Sequence, residues 1–214
     1  MPLAILGQSQ GGSAKSILAL SESDQIAFAE ATFEQGFPED RADQLTMLVV
    51  NRSHVVVPIL VARLETVLNS TDKPQLLADT AIEVISYAGD VVAIRAVGRL
   101  LPLDEQRFGP YVGRVLTNAA NWRNPFALVY QTLEIPDSRV APFAMRWCEE
   151  SLASTRRQRQ WAEAMLDKYG RVPAESDWAS DPIASRLNST GTAFLRERVL
   201  AAAAEAQRIR QQRQ

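Results

Sequence analysis

Arg63, Arg95 and Arg99 are the residues whose type and spacing most readily do chemistry in this chain. Arg63 and Arg99 occupy matching quartets 36 positions apart, VARL at Val61–Leu64 and VGRL at Val97–Leu100, and Arg95 precedes Arg99 by one helical turn. Guanidinium groups repeated along one wall bind carboxylates or phosphates in a two-pronged fashion. The competing reading pairs each with a nearby acid, Glu65, Asp90 or Glu83, and makes it a strut between helices. A second cluster is RRQRQW, in which Arg156, Arg157, Arg159 and Trp161 follow Arg146 and Trp147 of the preceding helix. Cations that track phosphates and rings that stack on bases are the equipment of a nucleic-acid channel. The same residues also fit a solvated helix start with Trp147 and Trp161 closing a core. Arginines in a first helical turn oppose the helix dipole, so this cluster does not serve helix stability.

Other chemistries are limited by what the chain lacks. One cysteine, Cys148, allows no internal disulfide and no thiolate metal cluster, and it reads as a small buried hydrophobe. One histidine, His54, excludes a two-histidine metal site and leaves a nucleophilic triad a single base; it reads as a partly exposed helix-start residue. Gly7 to Ser16 (GQSQGGSAKS) imitates a phosphate loop, but Ser13 and Ala14 separate Gly12 from Lys15, so amine and backbone amides cannot converge on one phosphate. No cofactor or metal is expected. Asn51, Asn69 and Asn188 open Asn-x-Ser/Thr triplets, each where a helix is expected to end.

Of 214 residues, 46% are apolar and 22% charged, the balance of an ordered globular chain. Net charge is −2, yet residues 1–110 hold 8 Lys/Arg against 14 Asp/Glu and residues 111–214 hold 15 against 11. That asymmetry fits either a basic partner site in the second half or an uneven draw of solvated helix faces. No run approaching 18 consecutive apolar residues is present, and MPLAILGQSQGG lacks the basic region of a secretory leader. A cytoplasmic protein without membrane contact is expected.

The elements that must position these residues are helical almost throughout. Ser21 and Asp24 offer N-caps, Gly36 a stop, Pro38 a restart, and Gly89-Asp90 a helix end followed by a cap. Expected turns near Ser53, Gly89 and Arg123 are spaced by 36 and 34, the period of stacked helix pairs. A third quartet, VGRV at Val112–Val115, lies 15 residues after the second and belongs to a partner helix. Its Val and aliphatic residues face a core, Ala62, Gly98 and Gly113 permit close helix approach, and the Arg points to the rim. No alternating strand pattern occurs. The expectation is an all-α chain of antiparallel helix hairpins over residues 21–170. A flexible arm precedes them at 1–20, and a loop-rich segment with a long terminal helix follows at 171–214.

AIEVISYAGDVVAIRAVGRLL (Ala81 to Leu101) resembles a HEAT repeat of the short variety, with a small residue and Gly-Asp at the turn. LVVNRSHVVVPILVARL resembles the same pattern with Asn51 to Ser53 at the turn, and the likeness is strongest over residues 38–101. The resemblance implies an α-α superhelix, a solenoid whose concave face binds another macromolecule. A non-enzymatic binding module or scaffold for a protein partner is the leading expectation. A minority of HEAT-like proteins are DNA glycosylases that excise alkylated purines, so a nucleic-acid-associated protein is the alternative. Such an enzyme needs a cleft acid, for which Asp137, Glu149 and Glu150 are candidates that no motif distinguishes. In the terminal helix, Leu195, Val199, Ala202, Ala206 and Ile209 keep one seam, but its small residues bury little area. The helix is therefore expected to cap its own fold in a monomer, anchored by Phe194, Leu195 and Val199 and frayed after Ile209.

Overall fold

Local capping chemistry sets several of the helix boundaries in the computed structural model, which describes residues 17–70, 75–136, 139–187 and 192–213. The arm residues Gly7 to Ser16, Asp137 and Asn188 lie outside the described residues. Every element described is helix or turn, and no strand occurs among the described residues. The chain divides into two compact units, Met1–Ala88 and Gly89–Gln214.

The first unit holds α1 (Glu22–Glu34), α2 (Glu39–Leu68) and α3 (Gln75–Ser86). Ser21 caps α1 by accepting the Asp24 amide at 3.2 Å. At its other end Gly36 adopts φ +74° and Phe37 φ +59°, and the Phe37 amide returns to the Thr32 carbonyl at 3.0 Å. This six-to-one closure satisfies an orphan carbonyl of the last turn. Phe37 tolerates its left-handed backbone because its ring is buried edge-on to Phe33, with centroids 5.7 Å apart. α2 packs on α1 and α3. No loop separates its two halves as the expected turn at Ser53 requires; the helix is instead broken at one residue, Arg52, with φ −138° and ψ 39°. An 18-residue window of α2 reaches a mean hydropathy of 1.7, a length and apolarity that would cross a membrane and that the run-length reading did not register. Leu45, Leu48, Val49, Val56, Leu60, Val61 and Leu64 of this helix are buried inside the unit, and 44% of the window is buried.

The second unit contains α4 (Val91–Leu100), α5 (Glu105–Ala119), α6 (Pro125–Leu133), α7 (Ala141–Ser151), α8 (Thr155–Tyr169), α9 (Glu175–Ser180), a 3-10 turn at Ala184–Arg186, and α10 (Thr192–Gln212). Gly89 has φ +57°, and a Cβ there would sit 2.7 Å from the Ala119 amide nitrogen, so glycine is required twice over. Asp90, Asp104 and Asn124 cap α4, α5 and α6 through the amides of Ala93, Arg107 and Phe126. α5 crosses α7 closely at Gly109, where a Cβ would lie 2.1 Å from the Phe143 ring. The closest approach is thus not at the quartets. A Cβ at Gly98 would lie 3.3 Å from Val140 Cγ1, one at Gly113 would keep ordinary contact distance to Trp147, and Ala62 is exposed.

α10 packs along α8. Its buried anchors are Val199 and Ala203, one turn apart, while Phe194 is 65% exposed and Leu195 half-buried. The expected anchor Phe194 instead lies beneath the Arg198 guanidinium, 5.3 Å from its ring centre. The helix also runs to Gln212 instead of fraying after Ile209, and Arg210 reaches Asp167 at 2.8 Å.

Candidate anion-binding groove

α4 is strongly two-faced. Ala93, Ile94, Ala96, Val97 and Leu100 are buried, and the residues on its other side at i and i+4, Arg95 and Arg99, are exposed. Ile135, whose amide closes a turn on the Thr132 carbonyl, lies between α6 and α7 with Pro136, Arg139 and Val140. These four residues and part of α4 line an open groove of about 500 Å³. Ile94, Gly98, Pro102, Ile135, Pro136 and Val140 form its apolar lining, and Arg95, Arg99 and Arg139 supply its charge. No acidic side chain is among these lining residues. Arg95 and Arg139 form no ion pair among the described residues. Three guanidinium groups over an apolar floor favour a ligand with acceptor-only polar groups and an apolar part.

The other arginines singled out by sequence stand elsewhere. Arg63 lies in the first unit and bonds Glu30 of α1 at 2.8 Å, with Glu34 at 3.7 Å, so it acts as a strut between α1 and α2. Its partners are neither Glu65, Asp90 nor Glu83. The RRQRQW cluster splits at the start of α8. Arg156 and Arg159 are exposed; Arg157 lies over the Trp147 ring at 5.4 Å and donates to Gln160 Oε1 at 2.9 Å. Partial burial, with Arg156 beside it, lowers the Arg157 pKa from the usual guanidinium value. Trp161 is fully buried, stacked on Phe126 at 6.0 Å and tilted against Trp178 at 5.0 Å. It belongs to the core and cannot touch a partner. The reason is its position: Ala162, Met165 and Leu166 share its face of α8, and Arg156 and Arg159 the other.

Glu149 and Glu150 are exposed on α7 and do not line the groove. His54 is exposed just after the break in α2, and Cys148 is buried, with burial pushing its thiol pKa upward. Among the described residues no group of three His, Cys, Asp or Glu side chains gathers as a metal site.

No family model matches this chain, and no curated protein or solved structure matches it. The likeness to short HEAT repeats therefore stands on the quoted residues alone.

Two features escaped the sequence reading. Arg139 stands in a loop between prolines, with no periodicity to link it to α4, and only folding brings it to the groove. Asp181 is the other. Its carboxylate is fully buried and accepts four hydrogen bonds: Tyr130 at 2.8 Å and Tyr169 at 3.1 Å on Oδ2, and the Ile183 and Ala184 amides at 2.9 and 3.0 Å on Oδ1. Trp161 Nε1 donates in turn to the Tyr130 hydroxyl at 3.0 Å, and Lys168 Nζ lies 4.3 Å from the Tyr130 ring centre. Burial, then the Asp181 charge, raises the Tyr130 hydroxyl far above its ordinary pKa, and the same causes push Tyr169 up to about 12. Every acceptor position of this acid is used, and no solvent reaches it. It is a fastening between α6, α8 and the 3-10 turn, since a buried carboxylate persists only when its hydrogen bonds are complete. The Asp-Pro pair at Asp181-Pro182 marks a turn in the sequence, but its two tyrosine partners lie 51 and 12 residues away.

Proposed function

We propose that this chain is a binding module, without chemistry of its own, that holds an acidic protein partner in the groove of Arg95, Arg99 and Arg139. The observation that supports this reading is the groove itself, in which three arginines and no described acid line an open apolar floor. Nucleic acid fits it less well, because no aromatic side chain lines the groove and Trp161, the ring expected to stack on bases, is buried. The helical-repeat arrangement is part of the same proposal. It draws on the left-handed Gly89 and the Asp90 cap, which occupy the Gly-Asp turn of the HEAT-like stretch.

The test uses the full chain and fluorescein-labelled polyglutamate in a titration followed by anisotropy. Arg95→Glu/Arg99→Glu is expected to weaken binding by more than about tenfold, the loss of a charge-assisted contact and its reversal. Its circular dichroism and melting temperature should stay near those of the parent, since both side chains are exposed. Unchanged affinity would end the proposal.

A further inference from the structure

We infer that the groove selects acidic segments that carry an apolar side chain between their carboxylates, and is not a general polyanion site. The inference rests on the binding reading above and narrows it to a kind of partner. Its first support is the composition of the wall: six of the nine lining residues are apolar, and only arginines carry charge. A ligand that used the arginines alone would cover Pro102, Ile135 and Pro136 while placing water or polar groups against them.

The second support is the supply of hydrogen-bond donors. Pro102 and Pro136 have no amide hydrogen, the Ile94 amide is spent on the Asp90 carbonyl, and the Ile135 amide on Thr132. Arg95, Gly98 and Arg99 lie inside α4, where amides serve the helix. Arg139 and Val140, two adjacent residues, are the remaining lining positions with an amide hydrogen, too short a row for adding a peptide strand. Recognition must pass through ligand side chains: carboxylates to the guanidinium forks, and an aliphatic or aromatic group to the floor. Arg95 and Arg99 come from α4 and Arg139 from the stretch before α7, so the guanidinium groups that line the groove are supplied by two elements and can engage more than one acid of a segment. The volume, about 500 Å³, lies in the range of roughly 300–1,000 Å³ typical of ligand sites.

The experiment compares three labelled probes on the full chain by anisotropy: a peptide with Leu-Phe between two pairs of glutamates, the same peptide with Ser-Ser in that place, and an oligothymidylate. The first is expected to bind at least about tenfold tighter than the second, the fold-change that burial of one large apolar side chain brings. Arg139→Glu should weaken the first peptide by tenfold or more without altering helicity, and Ile135→Ser should bring the two peptides to equal affinity. Equal affinities in the parent chain, both lost in Arg95→Glu/Arg99→Glu, would overturn the selection and leave the anion reading standing. Peptide binding that survives that double substitution, or no peptide binding at all, would overturn both. An oligothymidylate that binds tighter than either peptide and needs the same arginines would replace the peptide with nucleic acid. Light scattering that finds an oligomer dissolved by the double substitution would instead make the occupant a second copy, whose residues 1–88 carry 11 Asp/Glu against 5 Lys/Arg.

Discussion

The two matching quartets, VARL in the first unit and VGRL in the second, come to different ends. In both, the aliphatic residues are buried: Val61 and Leu64 in α2, Val97 and Leu100 in α4. In the first, Arg63 is consumed by Glu30 and Glu34 of the helix packed beside it. In the second, Arg99 and its neighbour Arg95 are both among the lining residues of a groove, and Arg95 forms no ion pair among the described residues. A quartet of this kind specifies which side of a helix faces inward. What its arginine does is decided by the element across from it, an acidic α1 in one unit and a proline-bounded segment in the other. The small residue behaves likewise, since Ala62 is exposed while Gly98 leaves Val140 just enough room.

The largest effect that would break this contrast is at the ring beside the second arginine cluster. Trp161→Ala is expected to lower the unfolding free energy by about 3–5 kcal/mol, the usual cost of emptying a large aromatic site. It also leaves the Tyr130 hydroxyl without its indole donor. Chemical denaturation measures it, and a loss of binding with stability intact would return Trp161 to the partner surface. Next in size is an alkaline effect confined to the second unit. Tyr169 has a folded pKa of about 12, above its ordinary value of about 10, so folding retains its proton. The stability this confers is complete below pH ~10 and is lost as the pH rises through about 12. Melting temperatures across that window should fall for the parent and fall less for Tyr169→Phe; parallel profiles would show that the Asp181 contact contributes nothing there. The smallest effect is at Arg63. Because this pair is partly exposed, at 43% and 36%, Arg63→Ala should cost no more than about 1 kcal/mol and leave peptide affinity unchanged. A binding defect equal to that of Arg95→Glu/Arg99→Glu would erase the distinction between strut and groove.

Much of the helical layout was legible because its determinants are local. Ser21, Gly36, Gly89 and Asp90 act within one turn of themselves, and a reader needs no partner to place them. The break in α2 was legible as a place, beside the turn expected near Ser53, and is shorter than a hairpin turn: Arg52 alone leaves the helical region. Arg95 and Arg99 could be named from their spacing, but their groove could not, since the rest of its lining includes Ile135, Pro136, Arg139 and Val140. Trp161 stayed between a partner surface and a core in the sequence because a ring beside arginines looks alike whether it faces the core or the solvent; α8's inward face decides for the core. Asp181 gave no local hint, for its identity as a fastening depends on tyrosines from two other helices.

That fastening makes two amides informative. A three-residue 3-10 turn has too few internal bonds to persist by itself, and the Ile183 and Ala184 amides bond to Asp181 and not to another turn of helix. Their exchange with deuterated solvent therefore follows the parting of Asp181 from Tyr130 and Tyr169, a larger opening than the fraying of a loop. In a native-state exchange series these two protons, in a segment that looks peripheral along the chain, would keep time with the interior of α6 and α8.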